Sequence, residues 1–178
     1  MIHFVHRSPL VGLALAAVSL SLLAGCSGGP GAATPAAAPA LDLSAPPCSY
    51  VPEGELAGLG LTGPGTATGE PAPSCRWDTV GTGGGTAGFS FSVPTTLLVA
   101  AQPGAFDAGL TQMRTQGSAV TEETLDGRRA AVSQTEGVCL VVVDAGSGML
   151  SVVGSAPSDP CGAARKIVST ALRTAGAA

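Results

Sequence analysis

The first apolar run extends from Leu10 to Ala24 and is interrupted only by Gly12, Ser19 and Ser21. Its 15 residues fall short of the roughly 18 or more that a membrane-spanning helix needs. Residues 27–40 (SGGPGAATPAAAPA) carry no charge and no large apolar side chain. Such a stretch cannot bury enough surface to offset its chain entropy, so it reads as a flexible, disordered spacer. From Asp42 the apolar positions become periodic. Residues 52–61 (PEGELAGLGL) predict a short helix interrupted by glycines, with Glu53 and Glu55 in a first turn where acids suit the dipole. Residues 63–73 predict a loop. Residues 74–80, with Cys75, Trp77 and Asp78, predict a short strand. Residues 81–85 (GTGGG) predict a turn and not a phosphate cradle, because no Gly-Lys-Ser/Thr ending follows. Phe89, Phe91 and Val93 alternate with Ser90 and Ser92, as in a strand with one buried face.

The second half is more strongly patterned. Phe106, Leu110 and Met113 form one helical stripe within residues 103–115. Val120–Leu125 and residues 128–134 flank Asp126-Gly127, the dipeptide of a type I′ hairpin turn, whose two central positions both need positive φ. Val138–Asp144 and residues 149–154 predict a second hairpin around residues 145–148. The run Val141, Val142, Val143 is apolar toward both faces, which places this strand centrally in a sheet. The last helix has Ser158 or Asp159 as its cap, Pro160 at its first position and Gly176 past its end. Its stripe is Cys161, Ala164, Ile167/Val168 and Ala171/Leu172, with Arg165, Lys166 and Arg173 off it. Strands in adjacent runs, without βαβ alternation, predict an α+β fold: an antiparallel sheet of five to six strands packed by two to three helices and held by two disulfides.

Arg7 ahead of the first apolar run, and small residues behind it, are the parts of a secretory signal. The run ends Leu23-Ala24-Gly25-Cys26, which resembles the lipobox of bacterial lipoproteins. The resemblance implies a diacylglyceryl group on the Cys26 thiol, cleavage between Gly25 and Cys26, and Cys26 as the first mature residue. Two or three acyl chains on one residue exceed the roughly two signals that stable anchoring requires. The expected organisation is a signal peptide over residues 1–25, a lipidated tether over 26–41 and a single extracytoplasmic domain over 42–176. The expected location is the outer face of the cell membrane, to which the lipid anchor holds the chain.

Composition narrows the chemistry. The chain has 26 glycines, 14 prolines, 3% aromatic residues and a formal charge of −4. An acidic chain lacks the basic face that nucleic acid requires. Loss of residues 1–25 removes Arg7 and both histidines, His3 and His6, leaving seven basic residues against 12 acidic. A mature chain without imidazole has neither a Ser-His-Asp nor a Cys-His arrangement, nor a histidine metal site. Lys166 is the one lysine and lacks the spacing of Ser-Lys catalysis. The carboxylates available for paired acid/base work are Asp78, Glu122, Glu123, Glu136 and Asp144. Glu122 and Glu123 are strand neighbours and point to opposite faces, and Glu123 is expected to reach Arg128 across the hairpin.

Without Cys26, four cysteines remain: Cys48, Cys75, Cys139 and Cys161. An even set in an exported chain predicts two disulfides, for which three pairings exist. The favoured one is Cys48–Cys75 with Cys139–Cys161, because Cys161 lies on the buried stripe of the last helix and Cys139 on a strand just upstream. It requires Cys139, Val141 and Val143 to share the face under that helix. Cysteines without Cys-x-x-Cys spacing do not suggest zinc, and no cofactor or metal is expected. Trp77 shares a strand face with Cys75 and is expected to pack on its disulfide; the alternative is a ligand-stacking role. Pro47-Cys48-Ser49, Cys75-Arg76-Trp77, Cys139 in a valine-rich strand and Asp159-Pro160-Cys161 followed by Ala163-Ala164 together resemble an actinobacterial family of secreted lipoproteins classed as a domain of unknown function. The likeness covers roughly residues 44–172; this chain has Ala-Pro-Pro-Cys where an acid before Pro-Cys is usual. A looser likeness is to the two-disulfide extracellular sensor domains of actinobacterial Ser/Thr kinases. Neither resemblance implies a catalytic residue. The expected function is a non-enzymatic binding, sensor or accessory module at the cell envelope, with an envelope protein or a small ligand as partner. The alternative is a carboxylate-dependent cell-envelope hydrolase.

Overall fold

A computed structural model describes residues 38–69, 72–79, 94–155 and 159–177. Cys26, the spacer up to residue 37, the turn at 81–85 and the strand expected at 89–93 lie outside the described residues.

The described chain opens with three short 3-10 turns, Pro47–Tyr50, Glu53–Glu55 and Ala57–Leu59. Strands β1 (Leu61–Thr68), β2 (Ser74–Thr79) and β3 (Thr95–Ala100) follow, then helix α1 (Ala105–Thr115). Next come β4 (Val120–Leu125), β5 (Arg128–Thr135), β6 (Val138–Asp144) and β7 (Met149–Ser155), and last helix α2 (Pro160–Gly176). All seven strands join one sheet in the order β1-β2-β3-β7-β6-β5-β4, with every neighbouring pair antiparallel. The class is therefore α+β with two α-helices, and the strand count among the described residues exceeds the five to six expected.

Two local expectations are corrected. The helix expected at 52–61 is a pair of 3-10 turns, because Gly54, Gly58 and Gly60 each cost about 1 kcal/mol relative to alanine in an α-helix. Gly60, at φ 73°, ends the segment in the left-handed region. The loop expected at 63–73 is largely edge strand β1. Its Pro64 and Gly63 are tolerated at an edge, and the register slips between Thr62 and Thr66 as in a bulge. The Asp126-Gly127 hairpin is as expected, with φ 49° and 76° at the two turn residues.

The sheet is covered on both sides. Cys139, Val141 and Val143 of β6 are fully buried toward α2, whose Cys161, Ala164, Ile167, Val168 and Ala171 complete the larger core. Val142 and Ala131 point the other way, to Phe106, Leu110 and Met113 of α1. Arg129 lies 4.8 Å from the Phe106 ring centroid and 3.1 Å from Asp107, tying α1 to β5. Residues 41–61 run beside α2, burying Leu41, Leu43, Tyr50, Val51, Leu56 and Leu61 in the larger core.

Antiparallel pairing sorts the turns to two poles. One pole carries the β4–β5 turn, the β6–β7 turn at 145–148 and the C-terminal end of α2. The other carries the β5–β6 turn at 136–137, the ends of β2 and β7, and the N-terminal end of α2.

Candidate functional site

Two disulfides shape the surface beside α2. Cys48 is bonded to Cys75 (Cα–Cα 4.9 Å) and Cys139 to Cys161 (Cα–Cα 5.1 Å), the pairing expected. The first fastens the Pro47–Tyr50 turn to β2, and the second fastens the first turn of α2 to β6. Asp159 caps that turn, accepting the Gly162 N–H at 2.8 Å. Trp77, 2% exposed, is buried against the Cys48–Cys75 bridge side of the sheet and offers no stacking surface. Its indole and Cys75 Sγ both press on Gly65, where a Cβ would stand 2.6 Å and 2.3 Å from them.

Between the fastened elements runs a groove. One wall is the glycine-rich 3-10 segment, with Gly54, Glu55, Gly58 and Leu59; the other is α2, with Arg165, Lys166, Ser169 and Arg173. This open stretch has a volume of about 680 Å³. It continues past Gly58, Leu59 and Lys166 into a more enclosed part of about 300 Å³ at the N-terminal pole of α2. There Thr79, Thr95 and Ser155 from three strand ends supply hydroxyl groups, and Asp159 a carboxylate. The groove exists because its walls carry little side-chain volume: Gly154, Gly162, Ala163 and Ala164 line the enclosed part.

The charges around the groove are mostly engaged. Arg165 binds Glu123 of β4 through two hydrogen bonds, Nε–Oε1 at 2.7 Å and Nη2–Oε2 at 3.0 Å. The bond from Arg165 holds the Glu123 carboxyl below its usual range, and the same bond raises the Arg165 guanidinium. This replaces the expected Glu123–Arg128 contact: Arg128 is 9% exposed and donates instead to the Pro39 carbonyl. Arg173 donates to Thr170 Oγ1 at 3.0 Å and faces Glu55 across the groove at 3.9 Å. Lys166 stands exposed where the two parts of the groove meet.

The remaining candidate carboxylates are scattered. Asp144 accepts the Gly146 N–H at 2.8 Å in the β6–β7 turn, while Glu136 occupies the turn at the opposite pole, at φ 47°. Asp78, on β2, is three strand spacings from β6, or about 14 Å. Glu122 faces α1 and bonds Arg114 there. The fold brings none of Asp78, Glu136 and Asp144 together as a pair. Among the described residues no group of three or more potential metal ligands occurs.

The sequence profile of one family matches residues 21–174, nearly the whole chain. The chain belongs to DUF3558, a family of proteins of unknown function. The DUF3558 match takes in Cys26 and all four disulfide cysteines, and with them both walls of the groove. No curated protein and no solved structure matches the chain.

Proposed function

We propose that this DUF3558 protein is an extracytoplasmic binding module, anchored in the cell membrane by acylation of Cys26, that takes its partner in the groove along α2. The observation that carries the reading is the groove's construction. One wall is glycine-rich and the other carries Arg165, Lys166 and Arg173, and each wall is tied to the sheet by its own disulfide, at Cys48–Cys75 and at Cys139–Cys161. Disulfides persist outside the cytoplasm, which agrees with the signal and the Leu23-Ala24-Gly25-Cys26 motif. A preformed concave surface with fixed charges along its length suits recognition of a polar segment of an envelope component.

A photo-crosslinking residue in place of Lys166 tests this, in chains carried on their own membranes. It is expected to yield an adduct that disappears in the Gly58→Trp variant, whose side chain fills the shared part of the groove; a Cβ at 58 meets nothing within 4 Å. An adduct indifferent to Gly58→Trp, or none at all, would exclude the groove as the binding surface. Cys26→Ser is expected to move the chain from the membrane to the soluble fraction, and retention on the membrane would exclude the lipid anchor.

A further inference from the structure

The described chain enters the fold locked to one pole. Leu41 donates its N–H to the Ala145 carbonyl at 2.9 Å, and its own carbonyl accepts a bond from Ser147 Oγ. Arg128 reaches up from the start of β5 to the Pro39 carbonyl. Leu41 and Leu43 are buried, and a Cβ on Gly176 at the end of α2 would stand 3.6 Å from Leu41 Cδ2. Gly146 adopts φ +78°, and a Cβ there would lie 3.0 Å from Ala40 Cα, so the turn is shaped to the segment passing over it. Three separated parts of the chain thus grip residues 39–43, all at the pole of the β4–β5 and β6–β7 turns. The enclosed part of the groove opens at the other pole, beside Thr79, Thr95 and Asp159. The 17 residues of α2 between the poles span about 25 Å.

We infer that residues 39–43 are a strap that sets the orientation of the domain on the bilayer, with the turn-bearing pole toward the membrane and the enclosed end of the groove directed away from it. The inference rests on the proposed acylation of Cys26. Residues 27–38 separate that cysteine from the strap, and twelve residues span at most about 40 Å. The gripped pole is therefore held within that distance of the anchor, and the other pole, about 25 Å away along α2, is the one that can stand further out. Releasing the strap lengthens the tether and lets the domain turn over.

The test uses the full acylated chain in vesicles of phosphatidylethanolamine and phosphatidylglycerol containing headgroup-nitroxide lipid. A fluorophore is placed on Thr124→Cys, next to the β4–β5 turn, or on Thr135→Cys, next to the β5–β6 turn. Both positions are exposed and lie on the same face of the sheet. Quenching at 124 is expected to exceed that at 135, and the difference is expected to vanish in Leu41→Ala/Arg128→Ala/Ser147→Ala, which removes the buried side chain and both side-chain bonds of the strap. Equal quenching with the native strap, stronger quenching at 135, or a difference that survives the triple substitution overturns the inference. Chains that fail to float with the vesicles overturn the anchoring reading along with it; chains that float and quench evenly overturn the orientation alone.

Discussion

At position 65 even a methyl group has no space. Gly65 lies on edge strand β1, yet it is the residue against which Cys75 Sγ and the Trp77 indole close, and a Cβ would stand 2.3 Å and 2.6 Å from those atoms. Both neighbours are held in place, one by its disulfide and the other by burial, so neither can yield cheaply. Gly65→Ala is therefore expected to destabilise the domain by about 1–3 kcal/mol, as overpacking does. Gly58→Ala, where a Cβ meets nothing within 4 Å, is expected to stay within about 0.5 kcal/mol of the parent. Urea unfolding midpoints of the two variants check the contrast, and equal shifts would contradict it. Nothing in the local sequence Thr62-Gly63-Pro64-Gly65 distinguishes the crowded glycine from the free one; the difference arises only when β1 pairs with β2.

At the scale of elements, the legible parts were those with a local signal. The Asp126-Gly127 hairpin, the Asp159-Pro160 start of α2, its apolar stripe and the α1 stripe all depend on residues within one or two turns of each other. Cys161 on the buried stripe of α2 and Cys139 on a strand just upstream are enough to pair them, and the face that this pairing requires Cys139, Val141 and Val143 to share is the one under α2. Strand β1 was illegible because an edge strand with Pro64 and three threonines has no buried face to show. The groove was illegible too, since it is made by missing side chains on elements far apart in sequence. The Glu123–Arg165 pair belongs to this second kind, joining β4 to α2 over 42 positions. Its bond lowers the Glu123 pKa in the folded state. As pH falls, the unfolded chain takes up the proton first, so the pair's contribution is present above the ordinary carboxyl value of 4.5 and is lost as pH drops through the lowered folded value. With both groups partly exposed, that contribution is roughly 0.5–1 kcal/mol. Glu123→Gln is expected to lower stability by this amount at pH 7 and to flatten the acid limb of a stability–pH curve; an unchanged limb would assign the pair no role. Removal of the neighbouring bridge is larger. Cys139→Ala/Cys161→Ala opens a loop of separation 22 and is expected to cost about 3 kcal/mol, measured by urea unfolding against the parent under oxidising conditions.

For the molecule as a whole, the question is where the domain begins. Composition alone puts the boundary at Asp42, because residues 27–40 look uniformly like spacer and Leu41 is a single apolar residue at its end. Burial depends instead on what the far end of the chain presents: Ala145, Ser147 and Gly176 lie more than 100 residues downstream of Leu41, and together they make the slot it fills. A chain starting at residue 42 loses several contacts at once, among them the bond from Ser147 Oγ to the Leu41 carbonyl. It loses the buried Leu41 side chain, about 1.5–3 kcal/mol, and the Leu41–Ala145 backbone bond. It also leaves the 9%-exposed Arg128 without the Pro39 carbonyl, and a buried charged donor without its acceptor costs a further 1–3 kcal/mol or so. Water entering the vacated slot recovers part of this, since the slot is at a pole and not in the core. The domain starting at residue 38 is therefore expected to exceed the one starting at 42 by about 2–4 kcal/mol. Adding Arg128→Ala to the shorter chain is expected to restore some of that difference by removing the unpaired group, whereas in the longer chain the same substitution destabilises. Urea unfolding of the four proteins gives the sign of the Arg128 effect in each, and the same sign in both would mean that Arg128 holds the fold and not the strap.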